Sequence, residues 1–279
     1  MDRGALKRMD ASDVVFKTIQ YVVLVVSLLV VVVPILYVIS VSFRPQSEVY
    51  TATFQWLPQE PTIQPWVDAY DMLSEELFNS FLIATGTAVL SLLITIPGAY
   101  VFGRMDFPGK QPLFYGIVLA LLFPYILLII PIADIWATLG LYNTLPGMWL
   151  AYQVFVTPFA LWILRDFFEE LPENLEESAQ VYGCTQFGAF LRVVLPLSMP
   201  AIAAVGFLAF LTGWNDFLFS NMLTTGTGPR PAVVQLFLST GAGGTLEWPI
   251  FMAQTLIIGL PPAVLYLIAN KQLSSAFNV

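Results

Sequence analysis

The sequence predicts an all-α integral membrane protein with six transmembrane helices and both termini on the cytoplasmic side. Three observations predict it. Of the 279 residues, 57% are hydrophobic and only 11% charged, where a soluble domain carries about a quarter, and mean hydropathy is +0.77. Six apolar runs are each long enough, at about 1.5 Å of rise per residue, to cross about 30 Å of hydrocarbon as helices. Threading those runs through a bilayer leaves all but two of the eleven Lys and Arg residues on one side, which is the bias that sets orientation.

The first run, 16–41, contains YVVLVVSLLVVVV. Its Val and Leu residues favour insertion by about 3–7 kcal/mol in sum. It is too long for a signal-peptide core and no small-x-small cleavage site follows, so it reads as a retained anchor. The other runs are 79–103, 113–136, 145–168, 200–223 and 250–270. With the N-terminus inside, the inner face receives Arg3, Lys7, Arg8, Lys17, Arg104, Lys110, Arg165, Arg192 and Lys271. The outer segments, near 42–78 and 224–249, keep Arg44 and Arg230 and carry Glu48, Glu60, Asp68, Asp71, Glu75, Glu76 and Glu247. The organisation is then a cytoplasmic N-terminus (1–15), a transmembrane domain (16–271) with a cytoplasmic elbow (171–196), and a short C-terminal tail (272–279). Pro34, Pro97, Pro124, Pro131, Pro158, Pro261 and Pro262 punctuate the spans. They are either ordinary membrane prolines, freed carbonyls being re-satisfied by neighbours, or the bends of a path that opens and closes.

Several classes are excluded. With no His and one Cys (Cys184), neither a disulfide framework nor a Cys/His metal site is expected. A net charge of −8 does not favour nucleic acid or an anionic lipid surface. No catalytic constellation and no bound cofactor are expected. DFPGKQ, at Asp106–Gln111, holds a Gly-Lys pair but lacks the first Gly and the following Ser or Thr of a phosphate loop. An ion-coupled secondary transporter or channel is the alternative class. It usually needs intramembrane ionisable groups and often inverted repeats, whereas this chain offers Asp134 and Asp216 and no evident repeat.

The elbow is the most polar long stretch. LPENLEESAQVYG reads as a short helix. Pro172 suits its first turn, and Glu173, Glu176 and Glu177 sit where the helix dipole favours acids. Leu175, Ala179 and Tyr182 share one face. Gly183 offers a left-handed stop in a tight turn that a side chain would obstruct. A second helix follows from an N-cap at Thr185, with Phe187, Phe190, Leu191 and Val194 as its apolar stripe, and ends at Pro196. An interfacial helix would be rich in Lys and Arg. This first helix carries only acids, so a protein partner is expected.

The spacing Glu177-Ser178-Ala179, three residues, Gly183, nine residues, Val193-x-Leu195-Pro196 resembles the E-A-A-x3-G-x9-I-x-L-P signature of ABC importer permeases, departing at Ser178 and Val193. NSFLIATGTAVLSLLITIPGAYVFGRMDFPGK (79–110) and GWNDFLFSNML (213–223) resemble the second-span and fifth-span regions of the smaller permease subunit of maltose-type importers. The resemblance runs from about 79 to 271. It implies a type I importer permease fold in the cell membrane, forming half of a carbohydrate pore. It implies a second, different permease chain, two ATPase subunits carrying ATP and Mg, and an extracytoplasmic solute-binding protein. The first elbow helix would be the coupling helix, with Glu177, Ser178, Ala179, Gly183, Leu195 and Pro196 at the ATPase contact. Trp214, Asn215 and Asp216 would suit a sugar path, ring on aromatic face and hydroxyls on polar groups. Alternatively, Trp214 packs against the partner permease and Asp216 lies near the outer interface. The glycine-bearing segment Thr224–Pro249 would reach towards the binding protein, or be a re-entrant or surface loop without partner contacts.

Overall fold

Helix α1 (Ala11–Ser42) carries Val and Leu on every side, so it has no polar stripe to turn towards water. Residues 15–34 are all exposed on this chain, a surface suited to lipid or another apolar partner. In the computed structural model, which describes residues 11–50, 55–172, 174–241 and 246–277, every regular element is a helix. The turn α2 (Gln46–Val49) leads to α3 (Gln64–Arg104), which runs 41 residues. It starts well before the apolar run at 79, because Pro65 suits a first turn and no breaker follows. Then come α4 (Lys110–Leu119), two 3-10 turns (Ala120–Leu122 and Tyr125–Leu128), α5 (Ile129–Leu139) and α6 (Leu145–Glu170). The elbow comprises α7 (Asn174–Val181), α8 (Gln186–Ala189), a π-turn (Phe190–Val194) and α9 (Leu195–Leu197). α10 (Met199–Asn215), α11 (Leu218–Leu223), α12 (Ala232–Gly241) and α13 (Trp248–Phe277) complete the order.

Four helices, α1, α3, α6 and α13, are long and apolar enough to cross a membrane, and two bent pairs make six if each is one span. The third span is therefore not one helix. It breaks by 94° between Leu122 and Tyr125, where Phe123 and Pro124 are extended, the backbone a proline favours in the residue before it. Pro34, Pro97, Pro158, Pro261 and Pro262 lie inside continuous helices. The fifth span also differs from the expectation. Its helix ends at Asn215, not 223, because Asp216 is extended and opens α11. Pro196 does not end the elbow. Helix continues to Leu197, and the 73° bend falls at Ser198, whose Oγ and N–H both donate to the Val194 carbonyl at 2.8 and 3.0 Å. The segment after Thr224 is not merely loop, since it contains α12. Residues 272–277 of the expected tail continue α13. Arg3, Lys7, Arg8 and Glu173, named above, lie outside the described residues, as do 242–245 of the glycine-bearing segment and the side chains of residue 241 and Lys271.

The chain divides into two compact units, one within Met1–Ala69 and Thr245–Leu256, the other within Tyr70–Gly244 and Ile257–Val279. In the first, Arg44 is 4% exposed. It donates to Ser40 Oγ (3.1 Å) and the Gln55 carbonyl (2.5 Å), so this outer cation is spent on holding its own segment. Gln46 donates to the Leu246 carbonyl at 3.1 Å.

The second unit packs three apolar clusters. One joins Tyr100, Phe114, Leu164, Phe168, Phe190 and Val205. A second joins Ile83, Ile132, Tyr152, Val156 and Phe219, and a third Leu73, Ala84, Phe210, Trp214 and Ile258. Lipid is as apolar as these side chains, so close fit rather than exclusion of water holds the helices together. Gly213 shows the fit: a Cβ there would stand 3.0 Å from Ala84 Cα and 3.1 Å from Thr87 Oγ1, so α10 touches α3 only because position 213 has no side chain.

Candidate functional site

The elbow ends α6 and turns back through α7. The turn after α7 is built as the glycine predicts. Gly183 has φ +90°, its N–H donates to the Gln180 carbonyl (2.9 Å), and the Cys184 N–H donates to the Ala179 carbonyl (3.0 Å). This is the paired bonding of a Schellman stop. The reason for glycine is corrected, however: nothing lies within 4 Å of a Cβ at 183, so the constraint is the left-handed backbone and not crowding. Thr185 caps the second helix, its Oγ1 accepting from Gly188 N at 3.1 Å.

The apolar stripes separate into two groups. Phe190 and Val194 are buried in the first cluster of the second unit. Val181, Tyr182 and Phe187 stand 85%, 90% and 69% exposed. Leu175 is exposed and Ala179 half-buried. Of the signature residues, Glu177, Ser178, Gly183 and Pro196 are exposed and Leu195 is half-buried. The tip of the elbow thus presents acids, a hydroxyl and three bare apolar side chains on a fixed scaffold.

Sequence reasoning missed what anchors that scaffold. Arg104, at the end of α3, bonds Glu176 at 2.9 Å, with side chains 7% and 12% exposed. Its other nitrogens donate to the carbonyls of Leu171 (2.8 Å) and Pro172 (3.3 Å). Tyr100 Oη donates to the second Glu176 oxygen at 3.0 Å. One available signal was a basic residue in the last turn of a span beside acids in the first turn of the elbow, both favoured by helix dipoles.

At the other end of the second unit, Trp214, Asn215 and Asp216 go three ways. Trp214 is 2% exposed, stacks on Phe210 with centroids 5.6 Å apart and donates to the Ile258 carbonyl at 3.1 Å. Its aromatic face is covered within this chain. Asn215 is exposed. Asp216 accepts from Tyr152 Oη (2.9 Å) and from the Ser220 backbone N–H (3.0 Å), and Tyr152 Oη also lies 2.7 Å from Ser220 Oγ. The carboxylate therefore holds the break between α10 and α11. Asn215 and Asp216 line an open hollow of about 440 Å³ with Tyr125, Phe155, Thr212, Phe217 and Leu218. Tyr125, just past the Pro124 break, is 47% exposed. It supplies the aromatic face that Trp214 does not. An apolar hollow of about 390 Å³ shares Phe155 and Thr212 with it and continues between α6 and α10. Asp134 is exposed on α5. In the outer segment, Ala232 N donates to Ser80 Oγ (2.8 Å) and Asn79 donates to the Arg230 carbonyl (3.2 Å), so the start of α12 is tied to α3.

Four long apolar helices, or six crossings if each bent pair is one span, an open cleft and a polar helical elbow describe a multi-pass membrane protein. The chain belongs to the ABC importer permeases: residues 4–278 match the family described as binding-protein-dependent transport system inner membrane component. It is 29% identical over 249 residues to the sulfoquinovosyl glycerol transport system permease protein SmoH of Agrobacterium fabrum, covering 88% of this chain and 86% of that protein. It is 34% identical to the diacetylchitobiose uptake system permease protein NgcG of Streptomyces coelicolor, covering 77% and 72%. It is 32% identical to the trehalose transport system permease protein SugB of Mycobacterium tuberculosis, covering 86% and 88%. A solved bacterial ABC transporter involved in alginate import superposes with a TM-score of 0.83 at 20% identity, over 94% of this chain and 98% of that chain. At that identity the likeness establishes the fold.

The buried Tyr152 hydroxyl bonds both Asp216 and Ser220 Oγ, so removing it takes a hydrogen bond from each. Tyr152→Phe is expected to destabilise the folded protein by about 1–3 kcal/mol, read as a lowered unfolding temperature in detergent, while Tyr115→Phe, at an exposed ring, leaves it unchanged.

Proposed function

We propose that this chain forms half of the translocation pore of a carbohydrate importer and that α7 is its coupling helix, docked on a separate ATPase subunit. The observation that carries the reading is the elbow tip. Val181, Tyr182 and Phe187 are exposed around a fixed left-handed turn, on a piece too acidic to rest on anionic headgroups. A protein socket with basic residues satisfies both features: apolar side chains fill it, and Glu177 makes charge-assisted bonds at its rim. Closure of an ATPase dimer would reach the spans as motion of this rigid piece. A second, different permease chain completes the pore. A solute-binding protein delivers substrate from outside, with the exposed Phe237 and Leu238 of α12 among the residues offered to it. ATP and Mg are bound by the ATPase subunits.

Relatives named for the transport of sulfoquinovosyl glycerol, diacetylchitobiose and trehalose support the carbohydrate class. So does the α6–α10 cleft, where Tyr125 offers a ring and Asn215 and Asp216 offer hydrogen-bonding groups. Trp214 acts here as a positioning residue behind Asn215.

Two variants test the two ends. Gly183→Arg forces an L side chain into a backbone region it rarely adopts. Purified from its own membrane, the variant complex should hydrolyse ATP without moving solute. Normal solute uptake by that variant would remove the coupling role from the turn. Tyr125→Ala should lower carbohydrate uptake while the ATPase still co-purifies, and unchanged uptake across the sugars tested would place the path elsewhere.

A further inference from the structure

A docked helix transmits force only if it is fastened to the spans as well as to its socket. The chain could do this by sequence continuity alone, through residues 171–173, but the structure adds a specific fastening. We infer that Arg104, Glu176 and Tyr100 form a latch that makes α7 move as one body with the ends of α3 and α6, and that these are positioning residues for coupling. The inference rests on the reading of α7 as the coupling helix, and adds residues that lie outside the E-A-A-like signature.

The geometry is that of a three-way joint. Arg104 ends α3 and lies at the negative end of its dipole. It reaches the carbonyls of Leu171 and Pro172, just past the C-terminal end of α6, and the carboxylate of Glu176 in the first turn of α7. Cation and carbonyls meet at helix C-termini and the anion at a helix N-terminus, the favoured arrangement in each case. Glu176 has both oxygens used, one by Arg104 (2.9 Å) and one by Tyr100 (3.0 Å). The Tyr100 ring is held in turn: its centroid is 4.5 Å from that of Phe190 in the elbow and 6.3 Å, edge-on, from Phe168 in α6.

Burial makes the joint stiff. An exposed ion pair is screened and exchanges freely with water. This one is almost fully enclosed, so opening it strands a charge in a poor solvent. Glu177 is the neighbouring acid and is exposed, which divides the work: Glu177 faces the partner, Glu176 faces the protein's own spans. Lysine would not replace Arg104, because a single ammonium cannot serve a carboxylate and two carbonyls with the planar spacing of a guanidinium.

The test uses the complete transporter, with its ATPase and binding protein, in vesicles, and reads solute moved per ATP hydrolysed. Arg104→Gln, Arg104→Lys and Glu176→Gln should each lower that ratio about tenfold or more. The double variant Arg104→Gln/Glu176→Gln should do no worse than the poorer single variant, since both act on one interaction. Should Arg104→Gln not reach the membrane, Tyr100→Phe carries the test. It removes one hydroxyl from a packed ring and should give a smaller loss in the same ratio. An unchanged ratio in the single variants, or losses that multiply in the double variant, overturns the latch alone. A wild-type complex that holds no ATPase overturns the latch together with the coupling reading on which it rests.

Discussion

Within a bilayer every backbone N–H and C=O must find a partner inside the protein, and this constraint explains where the chain is regular and where it is not. Five of the prolines sit inside helices that pass through them without a break. True interruptions occur at Phe123-Pro124, at Ser198 and at Asp216. Two of the three have a side chain bonded to the backbone at the break: Ser198 Oγ on the Val194 carbonyl and Asp216 on the Ser220 N–H. At the third, Tyr125 opens a new 3-10 turn directly after Pro124. The breaks at Pro124 and Asp216 lie against the α6–α10 cleft, with Tyr125 and Asp216 both lining its hollow. These two breaks border the surface along which the proposed solute path runs.

Much of this was legible in the sequence because the bilayer imposes length and composition. Six apolar runs give six crossings once the bent pairs are counted. The turn at Gly183 and the cap at Thr185 follow from local backbone chemistry that needs no distant partner. What was not legible depends on neighbours remote in the chain. The α10–α11 break comes from Asp216 meeting Tyr152, 64 residues away, although an Asp before a serine-bearing segment is a recognisable breaker. The burial of Trp214 comes from α13, whose Ile258 carbonyl takes its N–H. A Trp-Asn-Asp triplet reads as one site in a sequence, but a helix end turns the three side chains in different directions, so only the last two reach the hollow. Glu176 and Glu177 both read as acids favouring a helix start, and Arg104 separates them: one is bonded to the end of α3, the other is exposed.

The elbow and the cleft lie at opposite ends of the same packed helices. Tyr100, Phe168 and Phe190 close the cluster beneath the elbow, and Tyr152, Phe155 and Phe219 close the one beside the hollow. α3, α6 and α10 connect them, with contact as close as Gly213 allows. Under the proposed coupling, a displacement of the elbow would reach the cleft through these helices, joined by buried apolar clusters at both ends. Under the proposed function, this is the route by which a separate ATPase subunit would act on the pore.

The most direct test places a photo-reactive amino acid at position 182 in the full complex. On illumination, the coupling account predicts an adduct with the ATPase subunit, since Tyr182 is the most exposed apolar side chain of the elbow. The same probe at Val30, on α1, should give no ATPase adduct. An intact complex in which position 182 reacts only with lipid would contradict the account.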